Sequence, residues 1–404
     1  MSWSDKSLDE LGTVSRGRSR HRPRDAAHLY GGPYPFVQTG DVKHAGLYLT
    51  EYSQTYSDEG LAQSKLWPSG TLCITIAANI ADTSILAIDA CFPDSVIGFI
   101  PDPKKSDARF IKYLFDAVLK LQYRQVSQGA AQDNLSQGKL LALKFSVPDD
   151  VNEQIRIADF IATYDDLIEN NRRRIKLLEE SARLLYQAWF VHLRFPGHEQ
   201  VKIVDGLPEG WEKLTVAECC HKPTYGFTAS ASKDPIGPQF LRITDIVPTS
   251  INWAGVPYCD ADEATTKKYQ LKEGDIVVAR TGATVGFAKR MPELNVPVVY
   301  ASYLVKFSPN PSIIDDLLLG VFMESEQYKE FVRGNAGGAA QPNANAKVLG
   351  SAKLLIPTKL LQVEFRANIA PMIEQKFLLE KQNSALEKAR DLLLPKLMSG
   401  ELAV

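Results

Sequence analysis

The feature that most constrains this chain is an internal duplication. The segment FVQTGDV, which starts at Phe36, is echoed by FLRITDI, which starts at Phe240, 204 residues later. At the same offset, WPSGTLCITIA (67–77) matches LKEGDIVVARTG (271–282). At an offset of 209, AAQDNLSQGKLLALKFSVP (130–148) matches AAQPNANAKVLGSAKLLIP (339–357). Because the matches keep one order and nearly one spacing, they indicate a tandem repeat of roughly 200 residues, the size of one domain with an extension.

The composition fits a chain with two ordinary cores. Of the 404 residues 45% are hydrophobic, and 46 Lys and Arg stand against 48 Asp and Glu, so any basic surface must be local. The five cysteines form no C-x-x-C pair and the six histidines are scattered, which predicts no metal site and a reduced chain. A polar start and the lack of a long apolar run predict a cytoplasmic protein without a membrane span.

Both copies of the repeat have the same order of predicted elements. Short β-rich runs broken by Gly and Pro precede a helical patch, at 108–121 in the first copy and 316–332 in the second. An Ala-, Gln- and Asn-rich loop follows, then a strand that ends in proline, and a long helix closes the copy. This order predicts an α+β fold with two similar, β-rich mixed α/β domains.

A heptad seam marks both long helices. From Ile157 to Trp189, nearly every residue met in alternating steps of four and three is apolar, and the equivalent positions from Phe365 to Leu397 are apolar with three polar breaks. Helix 1 leads out of the first domain and helix 2 out of the second, so pairing along their length makes an antiparallel coiled coil of about 60 Å. The alternative is that each helix packs only on its own domain.

The seam and the repeat together predict the domain organisation. We expect a first domain at 1–150, a spacer helix at 151–195, a linker with the second domain at 196–358, and a second spacer helix with a tail at 359–404. The two domains would be separated by the helices and related by a pseudo-two-fold axis. A two-fold object with two reading heads suits a two-part target such as duplex DNA.

No catalytic constellation is recognisable in the sequence. It lacks G-x-x-x-x-G-K-[ST], G-x-S-x-G and the Asn/Asp-Pro-Pro-aromatic motif of amino-methyltransferases. Basic loops are present instead: RGRSRHRPR (16–24) suits phosphate contact, and its equivalent HKPTYGFTASASK (221–233) is less basic and offers Tyr225 and Phe227 to bases or sugars. For the first loop, a solvated turn is the alternative. The predicted DNA-binding residues are Arg16, Arg18, Arg20, His21, Arg22, Arg24, Lys222, Tyr225, Lys233, Arg242, Arg280, Lys289 and Arg290.

Five segments lie in a fixed order along the chain: TGDV (39–42), LPEGW (207–211), GDIVVARTGATVG (274–286), AAQPNANAKVL (339–349) and LEKARDLLLPKLMSGEL (386–402). In combination, these segments resemble the specificity subunit of type I restriction-modification systems over essentially the whole chain. The resemblance implies two target-recognition domains, each reading one half of a bipartite DNA site. It also implies helices that set the spacing between the half-sites and dock methyltransferase subunits.

The resemblance implies partners and cofactors as well. Family members act with two methyltransferase subunits, which hold S-adenosylmethionine and methylate adenine N6, and with motor-nuclease subunits that use ATP and Mg²⁺. The chain itself is then a non-catalytic subunit without a cofactor. The first copy departs from the family's pattern, with Thr71, Ile76, Ala78 and Asp82 where the second has Asp275, Arg280, Gly282 and Gly286. Arg280 is therefore either a domain-specific reader or an ion-pair partner.

Two other classes of protein stay open on sequence alone. One is a coiled-coil scaffold without a DNA role, which a basic groove would argue against. The other is a self-contained site-specific nuclease, which a buried carboxylate cluster with a nearby lysine would favour.

Overall fold

The computed structural model describes residues 2–77, 80–119, 135–248, 250–338 and 342–404. The chain divides into two compact units: unit 1 comprises Met1–Asn171 and Gln382–Val404, and unit 2 comprises Arg172–Lys381. Part of the predicted Ala-, Gln- and Asn-rich loops, 130–134 and 339–341, lies outside the described residues, as does position 78.

Unit 1 is built around a mixed sheet in the order β2-β8-β6-β7-β4. Its strands are β1 (Trp3–Lys6), β2 (Gly12–Arg16), β3 (Tyr30–Phe36), β4 (Tyr48–Leu49), β5 (Gln54–Tyr56), β6 (Leu72–Thr75), β7 (Thr83–Leu86), β8 (Val96–Pro101) and β9 (Phe145–Pro148). Its helices are Leu8–Leu11, Thr39–His44, Asp58–Ala62, Ala108–Leu114 and Gln137–Ala142, with a 3₁₀ turn at Ala27–Leu29 and a π-helical turn at Phe115–Leu119.

Unit 2 is built around a sheet in the order β13-β18-β15-β16. Its strands are β10 (Ile203–Val204), β11 (Leu207–Pro208), β12 (Glu212–Thr215), β13 (Thr224–Tyr225), β14 (Gln239–Leu241), β15 (Ile276–Ala279), β16 (Ala288–Arg290), β17 (Val298–Tyr300), β18 (Leu304–Phe307) and β19 (Lys353–Ile356). Its helices are Val216–Cys219, Ile243–Ile246, Glu263–Tyr269, Asp316–Glu324, Glu326–Asn335 and Ala346–Gly350, with 3₁₀ turns at His198–Gln200 and Trp253–Gly255 and a π-helical turn at Gln187–Val191.

The two sheets confirm the duplication strand by strand. The order β2-β8-β6-β7 in unit 1 corresponds to β13-β18-β15-β16 in unit 2. The register is also the same, because Leu72 pairs with Phe99 just as Ile276 pairs with Phe307. In each unit a first strand also pairs antiparallel with a last one, β1 with β9 and β12 with β19. The repeated segments are therefore the framework of both units.

The two long helices, Val151–Tyr186 and Lys359–Met398, each contribute to both units. In unit 1, Asp165 pairs with Arg390 at 2.6 Å and Asn171 donates to Asn383 at 2.9 Å. Residue numbers therefore rise along the first helix while those of their partners fall along the second. The helical segments are therefore antiparallel. No helix in the described ranges is long and apolar enough to cross a membrane.

The helical segments of unit 2 are also antiparallel. Lys376 Nζ lies 2.5 Å from Glu179, and the rings of Trp189 and Phe365 are 5.6 Å apart. Seam residues of both helices join the buried cores of their units, as Ile369 does in unit 2. Burial of that apolar stripe stabilises the helices, since helical propensity alone rarely does.

A buried glutamine ties the first turn of each long helix to its domain. In unit 1, Gln154 accepts from the Asp107 N–H at 3.2 Å and donates to the carbonyls of Lys105 and Pro148. In unit 2, Gln362 accepts from the Asp315 N–H at 2.8 Å and donates to the carbonyls of Ile313 and Pro357. The joint satisfies buried polar groups and is duplicated with the framework.

Candidate nucleic-acid interface

The arginine loop of unit 1, residues 16–24, has a defined conformation. The N–H groups of Arg20 and His21 both donate to Gln63 Oε1, at 2.6 and 3.0 Å. At Gly17 a Cβ would lie 2.3 Å from two backbone carbonyl oxygens, so no other residue fits there. The loop is therefore preformed, which lowers the entropic cost of binding a ligand.

Three arginines of this loop are engaged within the protein. Arg24 makes an ion pair with Asp94, in which one guanidinium nitrogen donates to both carboxylate oxygens, at 2.8 and 2.9 Å. Arg16 donates from Nε to the Asp94 carbonyl at 2.9 Å. Arg22 donates to the carbonyls of Ser19 and His21. These side chains shape the loop, and Arg22 in particular is committed to the loop's own backbone.

Arg18 and Arg20 are the available cations of the loop. Their side chains are exposed and have no partner among the residues that the structure describes. Lys65, which the sequence analysis missed, adds to this positive surface: burial and, second, the charge of Arg18 lower its pKa. Its Nζ lies 3.5 Å from the centroid of the Trp67 ring. An approaching phosphate would relieve the crowding of positive charge. No local pattern marks Lys65, because it is distant from the loop in sequence.

Replacing Arg18 and Arg20 together by Ala is expected to weaken DNA binding by the assembled methyltransferase. The slope of log K against log[salt] should fall in magnitude by about two, one for each lost phosphate contact. The midpoint of thermal unfolding should not change, because both side chains are exposed. The double variant Arg22→Ala, Arg24→Ala removes the same charge but only internal contacts, so a salt slope reduced equally in both variants would contradict this assignment.

The equivalent region of unit 2 offers fewer cations. Lys222 and Lys233 are exposed. Arg242 is bound to Asp245 by two hydrogen bonds, at 2.9 and 3.0 Å, across the start of a short helix. Phe227 is partly buried and stacks on the Tyr269 ring, so it is more enclosed than Tyr225. This region therefore differs in chemistry from the arginine loop.

Tyr225 and Arg280, which are distant in sequence, come together in unit 2. The Arg280 guanidinium lies 5.1 Å from the centroid of the Tyr225 ring, within the range of a cation–π interaction. The Tyr225 hydroxyl accepts a hydrogen bond from the Ala346 N–H at 2.9 Å, which fixes the ring. This pair is therefore a well-ordered cationic feature of unit 2.

Lys289 and Arg290, also predicted as DNA contacts, are instead largely buried in ion pairs. Lys289 is 13% exposed and pairs with Glu324, and Arg290 is 11% exposed and pairs with Asp316 at 2.5 Å. Burial would raise the pKa of Asp316, but the charges of Arg290 and Arg366 outweigh it and lower that pKa. Because these charges are matched inside the protein, our proposed interface leaves Lys289 and Arg290 out.

The pair Lys289–Glu324 belongs to a cluster of carboxylates and lysines in unit 2. Lys376 lies 2.5 Å from Glu179 and 3.8 Å from Glu380. Burial would lower the pKa of Lys376, but Glu324 and the other two carboxylates outweigh it and raise that pKa. The two ammonium groups thus offset most of the charge of the three carboxylates. Within the described ranges, no three His, Cys, Asp or Glu side chains are placed to hold a metal ion.

The duplicated β-rich framework, the antiparallel helical segments and the divergent loops suit a protein that recognises DNA. Residues 1–180 match the family model of the type I restriction modification DNA specificity domain. This is the family that the motifs of the sequence resemble, and the match covers the first copy of the repeat with most of its long helix.

Relatives in this family match along nearly the whole chain. The MjaIX specificity subunit of Methanocaldococcus jannaschii is 23% identical, covering 100% of this chain and 94% of that one. The HindI specificity subunit of Haemophilus influenzae is 21% identical, covering 99% of each. The fold is similar to that of the type I S subunit from M. genitalium, with a TM-score of 0.58, 15% identity, and coverage of 98% and 96%.

Proposed function

We propose that this chain is the DNA-recognition subunit of a type I restriction-modification complex, and that each of two recognition domains reads one half of a bipartite site. One observation carries the proposal: the same framework supports different loops in the two units. The arginine loop follows β2 in unit 1, whereas a loop rich in hydroxyls follows β13 in unit 2. A constant framework with divergent loops suits two half-sites of different sequence.

The recognition domains are assigned to residues 1–150 and 196–358, and the spacer helices to 151–195 and 359–404. The helix starts at Val151 and Lys359 support these limits. The chain is non-catalytic in this proposal and works in the cytoplasm, where the DNA is. Methyltransferase subunits supply S-adenosylmethionine and methylate adenine N6, and motor-nuclease subunits supply the chemistry of ATP and Mg²⁺.

Mapping N6-methyladenine across the genome tests the proposal directly. Cells that express the chain with its methyltransferase should carry one bipartite methylated motif with a fixed gap, and cells without the chain should lack it. A continuous motif, or methylation that is independent of the chain, would contradict the proposal. The scaffold alternative predicts no motif, and the nuclease alternative predicts cleavage by the purified chain alone.

Two exposed leucines on the long helices suit the docking of methyltransferase subunits. Leu184 is 51% exposed and Leu392 is 73% exposed, and they are separated by the repeat spacing of 208 residues. Exposed apolar side chains at equivalent positions of two helices are typical of partner contacts. Because the same position is apolar and exposed in both helices, the chain offers two equivalent surfaces, which fits two methyltransferase subunits.

Adding the methyltransferase subunits is expected to raise affinity for the cognate site at least about tenfold, some 1.4 kcal/mol. The chain's net charge of -2 gives little long-range attraction to DNA, and the flipped adenine needs a pocket on the partner. The double variant Leu184→Glu, Leu392→Glu should abolish this gain in a titration at fixed salt.

Ile203→Glu is the matched control for that variant. Ile203 is 60% exposed, but it lies in a hairpin strand outside the long helices. It should retain the full gain in affinity. If the leucine double variant bound DNA as tightly as the unaltered assembly, this docking surface would be wrong. If the chain alone bound DNA as tightly as the assembly, the expected gain in affinity would be wrong.

A further inference from the structure

A polar pocket of about 330 Å³ lies on unit 2 where strand β15 ends. It is lined by Arg280, Thr281, Ser302, Tyr303, Pro342 and Asn343. The lining thus offers one guanidinium, three hydroxyls and one amide, and no carboxylate. Such a set of hydrogen-bond donors matches a ligand that presents several anionic oxygens.

Arg280 is held in this pocket without a counterion. Its guanidinium packs on the Tyr225 ring, and its Nε is buried without a hydrogen-bond partner. It forms no ion pair with any residue that the structure describes. A partly buried cation without a counterion is costly, so an anion that reaches the guanidinium through the pocket would be favoured there.

In unit 1 the position equivalent to Arg280 lies beside a loop that carries its own carboxylate. The Ile76 N–H donates to the Ser95 carbonyl at 3.0 Å, as the Arg280 N–H donates to the Tyr303 carbonyl at 3.0 Å, so these residues are structural equivalents. The residue before Ser95 is Asp94, whose carboxylate accepts from Arg24 and whose backbone carbonyl accepts from Arg16.

The residue before Tyr303 in unit 2 is Ser302, which therefore stands where unit 1 has Asp94. In unit 1 the Asp94 carboxylate provides anionic oxygens that accept from an arginine. In unit 2 the serine has no carboxylate, so anionic oxygens for Arg280 must come from a ligand. The difference fits the isoleucine that the first copy has at the position of Arg280: the Asp94 carboxylate is already paired with Arg24, so no further cation is needed there.

We propose that this pocket binds one phosphate of the DNA backbone in the half-site that the second recognition domain reads. This inference rests on the proposed function and deepens it. Arg280 is half-buried, and its backbone N–H and C=O are both hydrogen-bonded, to Tyr303 and Ala344. Its side chain is therefore anchored at the protein surface. A phosphate on the outside of the duplex reaches such a pocket, whereas a base edge lies deep in a groove.

Single neutral phosphates test the proposal. Kd is measured for the chain assembled with its methyltransferase on cognate duplexes that each carry one methylphosphonate linkage. The unaltered protein should bind about tenfold more weakly when the methylphosphonate replaces one particular phosphate of the second half-site, because a charge-assisted contact is then lost. Arg280→Gln should bind unmodified DNA about tenfold more weakly than the unaltered protein does. A methylphosphonate at that same linkage should not weaken the binding of this variant further. Lys213→Gln removes one exposed charge from strand β12 and should bind like the unaltered protein.

Ser302→Asp is a second variant that does not depend on removing Arg280. It places in unit 2 the carboxylate that unit 1 has, so Arg280 gains an internal counterion. Thermal stability should be kept or raised, while DNA binding falls about tenfold. The methylated motif should be the same for all variants that still methylate, because a phosphate contact carries no sequence information.

Several results would overturn the pocket without touching the proposed function. One is unaltered affinity in both variants, and another is an Arg280→Gln effect that adds independently to the effect of every neutral linkage. A changed motif in the second half-site would instead make Arg280 a base-reading residue. Inorganic phosphate that stabilises the unaltered protein through Arg280, with no coupling in the duplex series, would assign the pocket to a free anion. Failure of the unaltered assembly to methylate a bipartite motif would instead overturn the proposed function.

Discussion

Exchanging residues 1–150 for the corresponding domain of a related specificity subunit is expected to replace one half of the methylated motif and to leave the other half unchanged. The reason is that the units have separate cores. The buried cluster around Leu72 and Phe99 lies wholly in unit 1, and the cluster around Val278 and Phe307 lies wholly in unit 2. An exchange that ends at Asp150 stops before the long helix begins.

The joint at Gln154 sets the design of this exchange. The incoming domain must present an N–H at the position of Asp107 and two carbonyls at those of Lys105 and Pro148. Losing these partners would leave a buried amide unsatisfied, at about 1–3 kcal/mol. A donor with Asp and Pro at the equivalent positions avoids that loss.

The reciprocal exchange, residues 196–358, is the control and should replace only the other half of the motif. The readout in both cases is genome-wide detection of methylated adenine. If either single exchange altered both half-sites, the two recognition domains would not be independent modules.

The long helices were predictable from sequence because their seam obeys a simple spacing. All ten seam positions from Ile157 to Trp189, and the ten from Phe365 to Leu397, are buried or half-buried in the structure. Prolines did not obscure the pattern: Pro371 lies inside the second helix, where propensity alone predicts a break. Packing along the seam outweighs that local preference.

The partners of the polar breaks could not be predicted in the same way. The second seam is interrupted at Lys376, Asn383 and Arg390, and the structure pairs them with Glu179, Asn171 and Asp165 in turn. Spacing within one helix says which face is buried, but only the register between the helices says which residues meet. The duplicated glutamines Gln154 and Gln362, separated by the repeat spacing, were a signal that could have been found.

The candidate site was less predictable, since the sequence does not reveal which charges are already matched. Lys289, Arg290 and Arg280 lie within eleven residues of one another and look alike as cations. The structure buries the first two against carboxylates and leaves Arg280 over Tyr225 without one. The carboxylates come from a helix distant in sequence, so only the tertiary fold distinguishes structural from available charge.

Inserting four residues near Asn171–Arg174 in the first helix alone is expected to abolish methylation. Pairs such as Asn171–Asn383 fix the register on one side of the insertion, and pairs such as Glu179–Lys376 fix it on the other. After the insertion, the residue pairs on one side must shift by about one helical turn relative to the other helix. A slipped register leaves Lys376 or its partners buried without a counterion, which costs about 3 kcal/mol or more. The inserted turn also rotates the seam by about 40°, because four residues at about 100° each exceed one turn.

Inserting four residues in both helices, at Asn171–Arg174 and opposite them at 380–383, should restore function with a longer gap between half-sites. Both registers are then kept, and the helix pair is lengthened by about 6 Å, or about two base-pair steps. The gap is read from the methylated motif. Four residues inserted at the exposed turn Asp205–Gly206, outside the helices, should leave the gap unchanged. A functional paired insertion with the original gap would mean that the helices do not set the spacing, because lengthening them would then have no effect on where the two domains meet DNA.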